Sequence, residues 1–411
     1  MKPHHASGRV AAPLLAAVVL AAMLVWWLAG GDPAPVQAAA SAGAAPSAFL
    51  VQGAAAAGPA PAASAGLPLG AGLTPAQKAA LKASWQERLA RAQTALAAFE
   101  QHARYPVESR PISEHPDQVR PFQPIAEDRP LRLPGGSVGA AGRLRTTQER
   151  IFLAGRESSR VTVSLVDAEG RVLPLRTTRA LLAEVTEPGR TASTTPLPVV
   201  VADNGQNGDQ QAGDGVLSAT IAPAAQGFGQ FAGTVRLELW LEHAGQPGYL
   251  YFDVVYSPET AATWLPGVRE AVVNGQLQFT LRAQVLVPGR YVVSGRIDDA
   301  SGQPVALAQF NAEIGAGAQD LVLPVAGRLL HDLKPSFPLR LRDVEAFLLK
   351  PDAFPDRVML PRLAGVVHQS AVYALDRFTT ETPPSDQRDR YLGELGRDVD
   401  EAKRALVQLG P

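Results

Sequence analysis

Apolar and polar residues alternate one for one along much of the chain from about Arg150 onward. Val161, Val163 and Leu165 alternate with polar neighbours, and a turn follows at Asp167-Ala168-Glu169-Gly170. Val235, Leu237, Leu239 and Leu241 alternate with Arg236, Glu238, Trp240 and Glu242, and the Gly245–Gly248 stretch turns the chain into Tyr249–Tyr256. A period of two puts successive side chains on opposite faces, so each segment predicts a half-buried strand. The pattern restarts after Ser257-Pro258 with Leu277, Phe279, Leu281 and Ala283. Short strands divided by turns at this spacing predict sandwiches. An offset of 132 residues pairs Val161 with Val293, Leu165 with Ile297, Asp167 with Asp299, Gly170 with Gly302 and Leu173 with Val305. The expected fold is mainly β, with two tandem Ig-like β-sandwich domains of similar build over residues 150–258 and 259–380.

A helical rhythm flanks the strands. Residues 73–105 are expected to form an amphipathic helix. Thr74 is its N-cap, Pro75 its first residue and Gln77 the closing member of a capping box. Leu81, Trp85, Leu89, Ala92, Leu96 and Phe99 make one stripe, which packs on the protein's own body or on a partner helix. Residues 381–411 predict a C-terminal helix capped by Ser385, with Tyr391, Leu395, Val399, Ala402 and Leu406 as its apolar stripe. Gly393 and Gly396 each weaken that helix by up to about 1 kcal/mol, so it needs tertiary packing. Between the first helix and the strands, residues 106–149 carry Pro106, Pro111, Pro116, Pro121, Pro124, Pro130 and Pro134. Proline this dense argues against helix and central strand. The stretch reads as an extended arm, solvated over the body or docking an acidic or proline-binding partner.

The N-terminus has a third pattern. Val10 to Gly31 holds 22 residues without a charge, behind Lys2 and Arg9. Roughly 20 apolar residues cross a bilayer, and positive flanks stay cytoplasmic. Residues 1–31 are therefore expected to be a cytoplasmic tip and transmembrane signal-anchor, with the body periplasmic or extracellular. Small residues after Val36-Gln37-Ala38 also offer a signal-peptide cleavage site. Residues 32–72 are an Ala/Pro/Gly/Ser tether, expected to be disordered and to span about 35 Å as a coil.

Composition narrows the functions. The 411 residues carry a formal charge of -1 and no cysteine. Without a basic field there is no reason to expect a nucleic-acid partner. Without cysteine, disulfides, thiol catalysis and thiolate zinc sites are excluded.

The segment richest in ligand-type side chains runs from Asp203 to Gly215. Asp203, Asn204, Asn207, Asp209 and Asp214 lie among four glycines. Hard cations need several oxygens on a tightly bent backbone, so Asp203, Asn207, Asp209 and Asp214 are candidate calcium ligands. An EF-hand is rejected, because its third place is Gly205 and no Glu closes it. The other reading is a glycine-rich connection whose Asp and Asn side chains cap their own turns. The run Asp203-x-Gly205, Gly208-Asp209 and Ala212-Gly213-Asp214-Gly215 resembles the choice-of-anchor X type of Ig-like domain over roughly residues 150–256. It departs from that family at Val216-Leu217, where an aromatic residue is usual. The resemblance implies β architecture and export, not a reaction.

The remaining chemistry is sparse. Of the seven histidines only the His4-His5 doublet has metal-like spacing. There is no nucleophile elbow and no phosphate loop. Asp298-Asp299 are adjacent and face opposite ways, a poor acid/base pair. Trp240, Tyr249, Tyr251 and Trp264 offer either a sugar-stacking surface or ordinary cross-strand partners. The expected function is a non-catalytic, membrane-anchored cell-envelope protein presenting Ig-like modules to a protein partner. The alternatives are a carbohydrate- or peptidoglycan-binding module and an enzyme with a dispersed site.

Overall fold

The computed structural model describes residues 72–132, 138–186, 191–382 and 384–410. The expected transmembrane segment 10–31, and the tether up to residue 71, lie outside them. No described helix is long and apolar enough to cross a membrane. The described chain is mainly β, in several sheets paired almost throughout in the antiparallel sense, with a C-terminal helix.

The strands in chain order are β1 (Ser109–Pro111), β2 (Ile125–Arg132), β3 (Val138–Gln148), β4 (Phe152–Ala154), β5 (Ser159–Val166), β6 (Val172–Leu173), β7 (Arg176–Glu184), β8 (Leu197–Pro198), β9 (Leu217–Ile221), β10 (Gly233–His243) and β11 (Gln246–Ser257). There follow β12 (Ala262–Val273), β13 (Gln276–Val285), β14 (Gly289–Asp298), β15 (Pro304–Ile314), β16 (Gly317–Val325), β17 (Arg340–Leu349), β18 (Arg357–Met359) and β19 (Leu363–Gln369). The first sandwich faces the sheet β2-β3-β5-β6, with β9 also on β5, against the sheet β4-β11-β10-β7-β8. Val161, Val163 and Leu165 of one sheet meet Leu182, Val235, Leu237 and Val254 of the other in a closed core. The second sandwich faces β12-β13-β16 against β1-β15-β14-β17-β18, with β19 on β17. Its core includes Phe279, Leu281, Val293, Ile297 and Leu341. The strand orders differ between the sandwiches, although the 132-residue echo is reproduced atom for atom in one turn. Asp167 Oδ1 accepts from the amides of Glu169 and Arg171, and Asp299 Oδ1 accepts from those of Ser301 and Gln303. Gly170 and Gly302 close the two turns at φ +81° and +85°.

The proline-rich stretch 106–149 is more deeply built in than a solvated arm. β1 is an edge strand of the second sandwich, in register with β15 through Ser109↔Ala308. β2 and β3 belong to the first sandwich, and β3 lies between β2 and β5. Prolines are tolerated because Pro111 and Pro130 sit on edge strands, where a missing N–H leaves no inner ladder bond unmade. Between β1 and β2 the segment 112–122 straps the outer face of the second sandwich. Arg296 on β14 is 1% exposed. Its guanidinium donates to the Gln118 carbonyl at 3.1 Å, to the Asp343 carbonyl at 2.9 Å and to the Gln118 side-chain oxygen. Burial pulls its pKa down to about 10, against the raising influence of Glu345 and Asp343. Arg342 donates to the Val119 carbonyl at 2.9 Å, and Arg362 stacks 4.7 Å from the Phe122 ring centre.

The two sandwiches share a strand. β4 pairs in parallel with β11 of the first sandwich. Successive strand residues face opposite ways, so Leu153 enters the first core while Phe152 and Ala154 pack on the second. Arg357 of β18 lies 4.4 Å from the Phe152 ring centre.

The α-helices among the described residues are α1 (Pro75–His102), the short α2 (Gly327–Leu333) and α3 (Asp386–Leu409). The capping box forms as the sequence predicts: the Thr74 amide donates to Gln77 Oε1 at 3.0 Å, and the Gln77 amide to Thr74 Oγ1 at 3.3 Å. The amide of Arg388 donates to Ser385 Oγ, which caps α3. The stripe Leu81, Trp85, Leu89, Ala92, Leu96 and Phe99 is the half-buried side of α1. On α3 the buried residues are Val399, Ala402, Ala405 and Leu409. Val399 and Ala402 of the expected stripe are thus buried, Leu395 and Leu406 are half-buried and Tyr391 is exposed, while Ala405 and Leu409 complete the buried side. Arg88 pairs with Glu401 at 3.4 Å between these helices.

Candidate functional site

The hairpin β10–β11 builds the most distinctive exposed surface. Ala244 and Gly245 both take left-handed φ, +48° and +80°, as a two-residue hairpin turn requires. That turn fixes the register Trp240↔Tyr249, Glu238↔Tyr251 and Arg236↔Asp253. Pairing with β7 adds Arg179 beside Trp240, Leu181 beside Glu238 and Ala183 beside Arg236. All these positions alternate with core residues and therefore share the outer face. The Trp240 and Tyr249 rings meet edge to face at 5.6 Å, and Tyr249 and Tyr251 lie 6.3 Å apart. Tyr249 is 36% and Tyr251 40% exposed.

Charged groups fix the rings in place. Arg236 stands 3.9 Å from the Tyr251 ring centre and holds Asp253 through two bonds of 2.7 and 2.8 Å. The pairing with Asp253 raises the pKa of Arg236. Desolvation, and then the bond to Glu238 at 2.6 Å, push the Tyr249 hydroxyl up to about 12, so it stays a donor at neutral pH. Arg179 stands 4.9 Å from the Trp240 ring centre. Among the described residues no carboxylate pairs with it. Each such exposed contact contributes only about 0.2–1 kcal/mol, so the array adds little to folding. Trp264, grouped with these aromatics by sequence, is elsewhere: its indole donates to the Pro361 carbonyl at 2.7 Å and packs on the second core. The pair Trp240↔Tyr249 is legible from the hairpin turn alone. Arg179 is not, because its place depends on the non-local β7 pairing.

The Asp-rich loop joins β8 to β9 and is tied down by a bridge between Ala202 and Ser218. Carboxylate oxygens of Asp203, Asp209 and Asp214 come within 4.8 Å of one another. Each already serves the loop. Asp203 accepts from the amides of Gly213, Asp214 and Gly215, and Asp214 from that of Val216. Asp209 accepts from the Gly205 amide at 2.6 Å and from Ser218 Oγ at 3.3 Å. The Gly205 amide is the first cause holding the Asp209 carboxyl below its ordinary range. Asn207 turns at φ +55° and gives its backbone carbonyl to Thr220. Gly215 is required twice: its φ is +78°, and a Cβ there would stand 2.5 Å from Val172.

One histidine does lie beside a carboxylate. Glu270 accepts from Tyr373 at 3.0 Å and from the Ala371 amide at 2.8 Å, with His368 Nε2 3.1 Å from its second oxygen. Both oxygens are occupied in fastening the segment after β19 to β12. Asp298 and Asp299 are separately engaged, the first with Arg342 and the second with Ser301 and Ser336.

No family model matches the chain, and no curated protein matches it. Among solved structures, a DUF4785 family protein from Legionella pneumophila is similar over 56% of this chain and 57% of its own, at 12% identity and TM-score 0.37. FdeC, an Escherichia coli adhesin, is similar over 46% of this chain and 65% of its own, at 17% identity and TM-score 0.17. Trypsin-activated alpha-2-macroglobulin from Escherichia coli covers 57% of this chain with 16% of its own, at 12% identity and TM-score 0.20. The chain thus spans less than two thirds of each of these structures. Likeness at this level leaves the function to be argued from the geometry, and the choice-of-anchor X resemblance rests on the Asp/Gly run alone.

Proposed function

We propose that the chain is a non-catalytic, membrane-anchored cell-envelope protein that meets a protein partner through the outer face of β7, β10 and β11. In this reading residues 10–31 hold it in the membrane, the body lies outside the cytoplasm, and the two sandwiches are Ig-like modules akin to the choice-of-anchor X type. The observation that carries it is the row of half-buried Trp240 and exposed Tyr249 and Tyr251 on an outer sheet face, away from both cores. Trp, Tyr and Arg are the residues from which binding hot spots are most often made. A sugar-binding face is supported less well, because Arg179 and Arg236 lie over rings that a sugar would stack on. The test is a photo-cross-linking residue at position 251 in cells, with position 280 on the outer face of β13 as control. Discrete protein adducts from 251 alone are expected; equal or absent adducts at both positions would refute the reading.

A second reading adds calcium at Asp203, Asp209 and Asp214, and the convergence of the three carboxylates favours it. An ion at 100 times its dissociation constant would stabilise the protein by about 2.7 kcal/mol. Asp203→Ala would remove most of that gain. Superimposable melting curves with calcium and with chelator would leave the loop as a self-capped turn.

A further inference from the structure

The last turn of α1 is held by one buried arginine. Arg110 of β1 is 5% exposed. It donates to the carbonyls of His102 and Tyr105 and pairs with Glu114 at 2.6 Å. Its Nη2 also faces Nδ1 of the His102 ring at 3.0 Å. A guanidinium carries donors only, so Nδ1 must accept, and the ring is neutral with its proton on Nε2. His115 joins the turn Ile112–Glu114 to the turn Pro116–Gln118, at the root of the strap over Arg296. The charged groups acting on the His102 ring are Arg110 of β1, Glu114 and, when protonated, His115. Those acting on His115 are Asp117, Glu114 and Arg110. Just beyond α1, Asp332 of α2 accepts from Arg104 and Tyr105 at 2.9 Å each, and Thr382 donates to the Arg104 carbonyl at 3.1 Å.

We propose that this contact is an acid-operated latch: a proton on His102 Nδ1 sets two donors and two positive charges against each other, and the last turn of α1 lets go of β1. His102 is exposed to solvent on one side, so protons reach it. Partial desolvation, and then Arg110, hold its pKa below the ordinary 6.5. Glu114 works the other way, but it is already paired with Arg110. Desolvation lowers His115 as well, and its proton would add a further charge beside Arg110. A histidine depressed by folding contributes fully above its unfolded pKa, and the contribution is lost as pH falls from there through the folded value. The latch is therefore closed at neutral pH and opens in mild acid. Asp332, held below its ordinary 3.8 first by Arg104, keeps its charge in that range. The loosening stops there: residues 99–103 are released, while Arg104 and Tyr105 stay anchored. The latch does not depend on the proposed interaction face of β7, β10 and β11.

The test is amide hydrogen exchange of the full chain at about pH 8 and about pH 5, the range in which histidine titrates, corrected for the intrinsic effect of pH on exchange. Exchange in residues 99–103 should quicken several-fold in acid, while β13 stays unchanged. His102→Gln keeps an oxygen that can accept from Arg110 but takes up no proton, so it should hold the segment closed at both pH values. His243→Gln, at a distant exposed histidine, should leave the acid response as it is. No quickening in the parent protein, the same quickening in His102→Gln, or its loss in His243→Gln overturns the proposal. Should His102→Gln exchange fast at both pH values, the titration of the His102 ring in the parent protein by NMR decides. A midpoint below 6.5 upholds the latch, and one at or above 6.5 overturns it.

Discussion

On the outer face of β14 a guanidinium is sealed under a strap, while on the outer face of β7 another lies open on an indole. Arg296 is 1% exposed and gives its protons to carbonyls of the segment 112–122 and of β17. Arg179 is exposed and touches one ring. Both faces come from the same period-two pattern, and both sandwiches use the same Asp-x-x-Gly turn. The difference lies in what covers the outward residues. In the second sandwich the outward arginine is covered by a segment of the chain; in the first it stays exposed.

Removing the sealed group should have the largest effect. Arg296→Ala should cost about 3 kcal/mol in urea unfolding of the full chain, since buried carbonyls lose their donors and a void opens. Trp240→Ala should cost under about 1 kcal/mol, as surface changes do. Similar losses at the two positions would erase the contrast. Next in size is the shared strand. Phe152→Ala should cost about 2 kcal/mol, less than a fully buried Phe, because the ring is half-buried. The two sandwiches should still melt together, because β4 has a side in each core. Two separate calorimetric transitions would show that they are independent.

A smaller contrast separates the twin turns. Burial alone would push the Asp299 carboxyl up, but bonds from Ser301, Ser336 and the backbone outweigh it and hold it well below its ordinary 3.8. Asp167 is shifted the same way in an exposed turn. A carboxyl depressed by folding adds stability above its unfolded pKa and loses it as pH falls through the folded value. Stability should therefore drop below about pH 4, and Asp299→Asn should flatten that drop more than Asp167→Asn. Equal flattening in acid melting curves would mean that the surroundings of the two turns do not matter.

The sequence is legible where short-range chemistry decides. The capping box Thr74–Gln77, the Ser385 cap, the alternation of β10 and the Asp-Ala-x-Gly turns are set by residues within a few positions of each other. What escaped was non-local. β1 is three residues long, and nothing in Ser109-Arg110-Pro111 says that it pairs with β15. β4 is too short to show a period, so its double role between cores is invisible. The strap depends on Arg296 meeting Gln118 across 178 positions. The α3 stripe is legible at Val399 and Ala402, which are buried, but the sequence does not show that Ala405 and Leu409 complete that side in place of Tyr391 and Leu406. The Asp-rich loop is visible in the sequence as a cluster, but only the geometry shows each carboxylate already capping the loop's own amides.

The most direct test of the open face is hydroxyl-radical footprinting of the protein in cells and after purification. Trp240, Tyr249 and Tyr251 should be protected in cells and reactive when pure, while exposed Phe354 on the second sandwich reacts equally in both. Equal oxidation of the three aromatic residues in cells and in the purified protein would contradict a partner on this face.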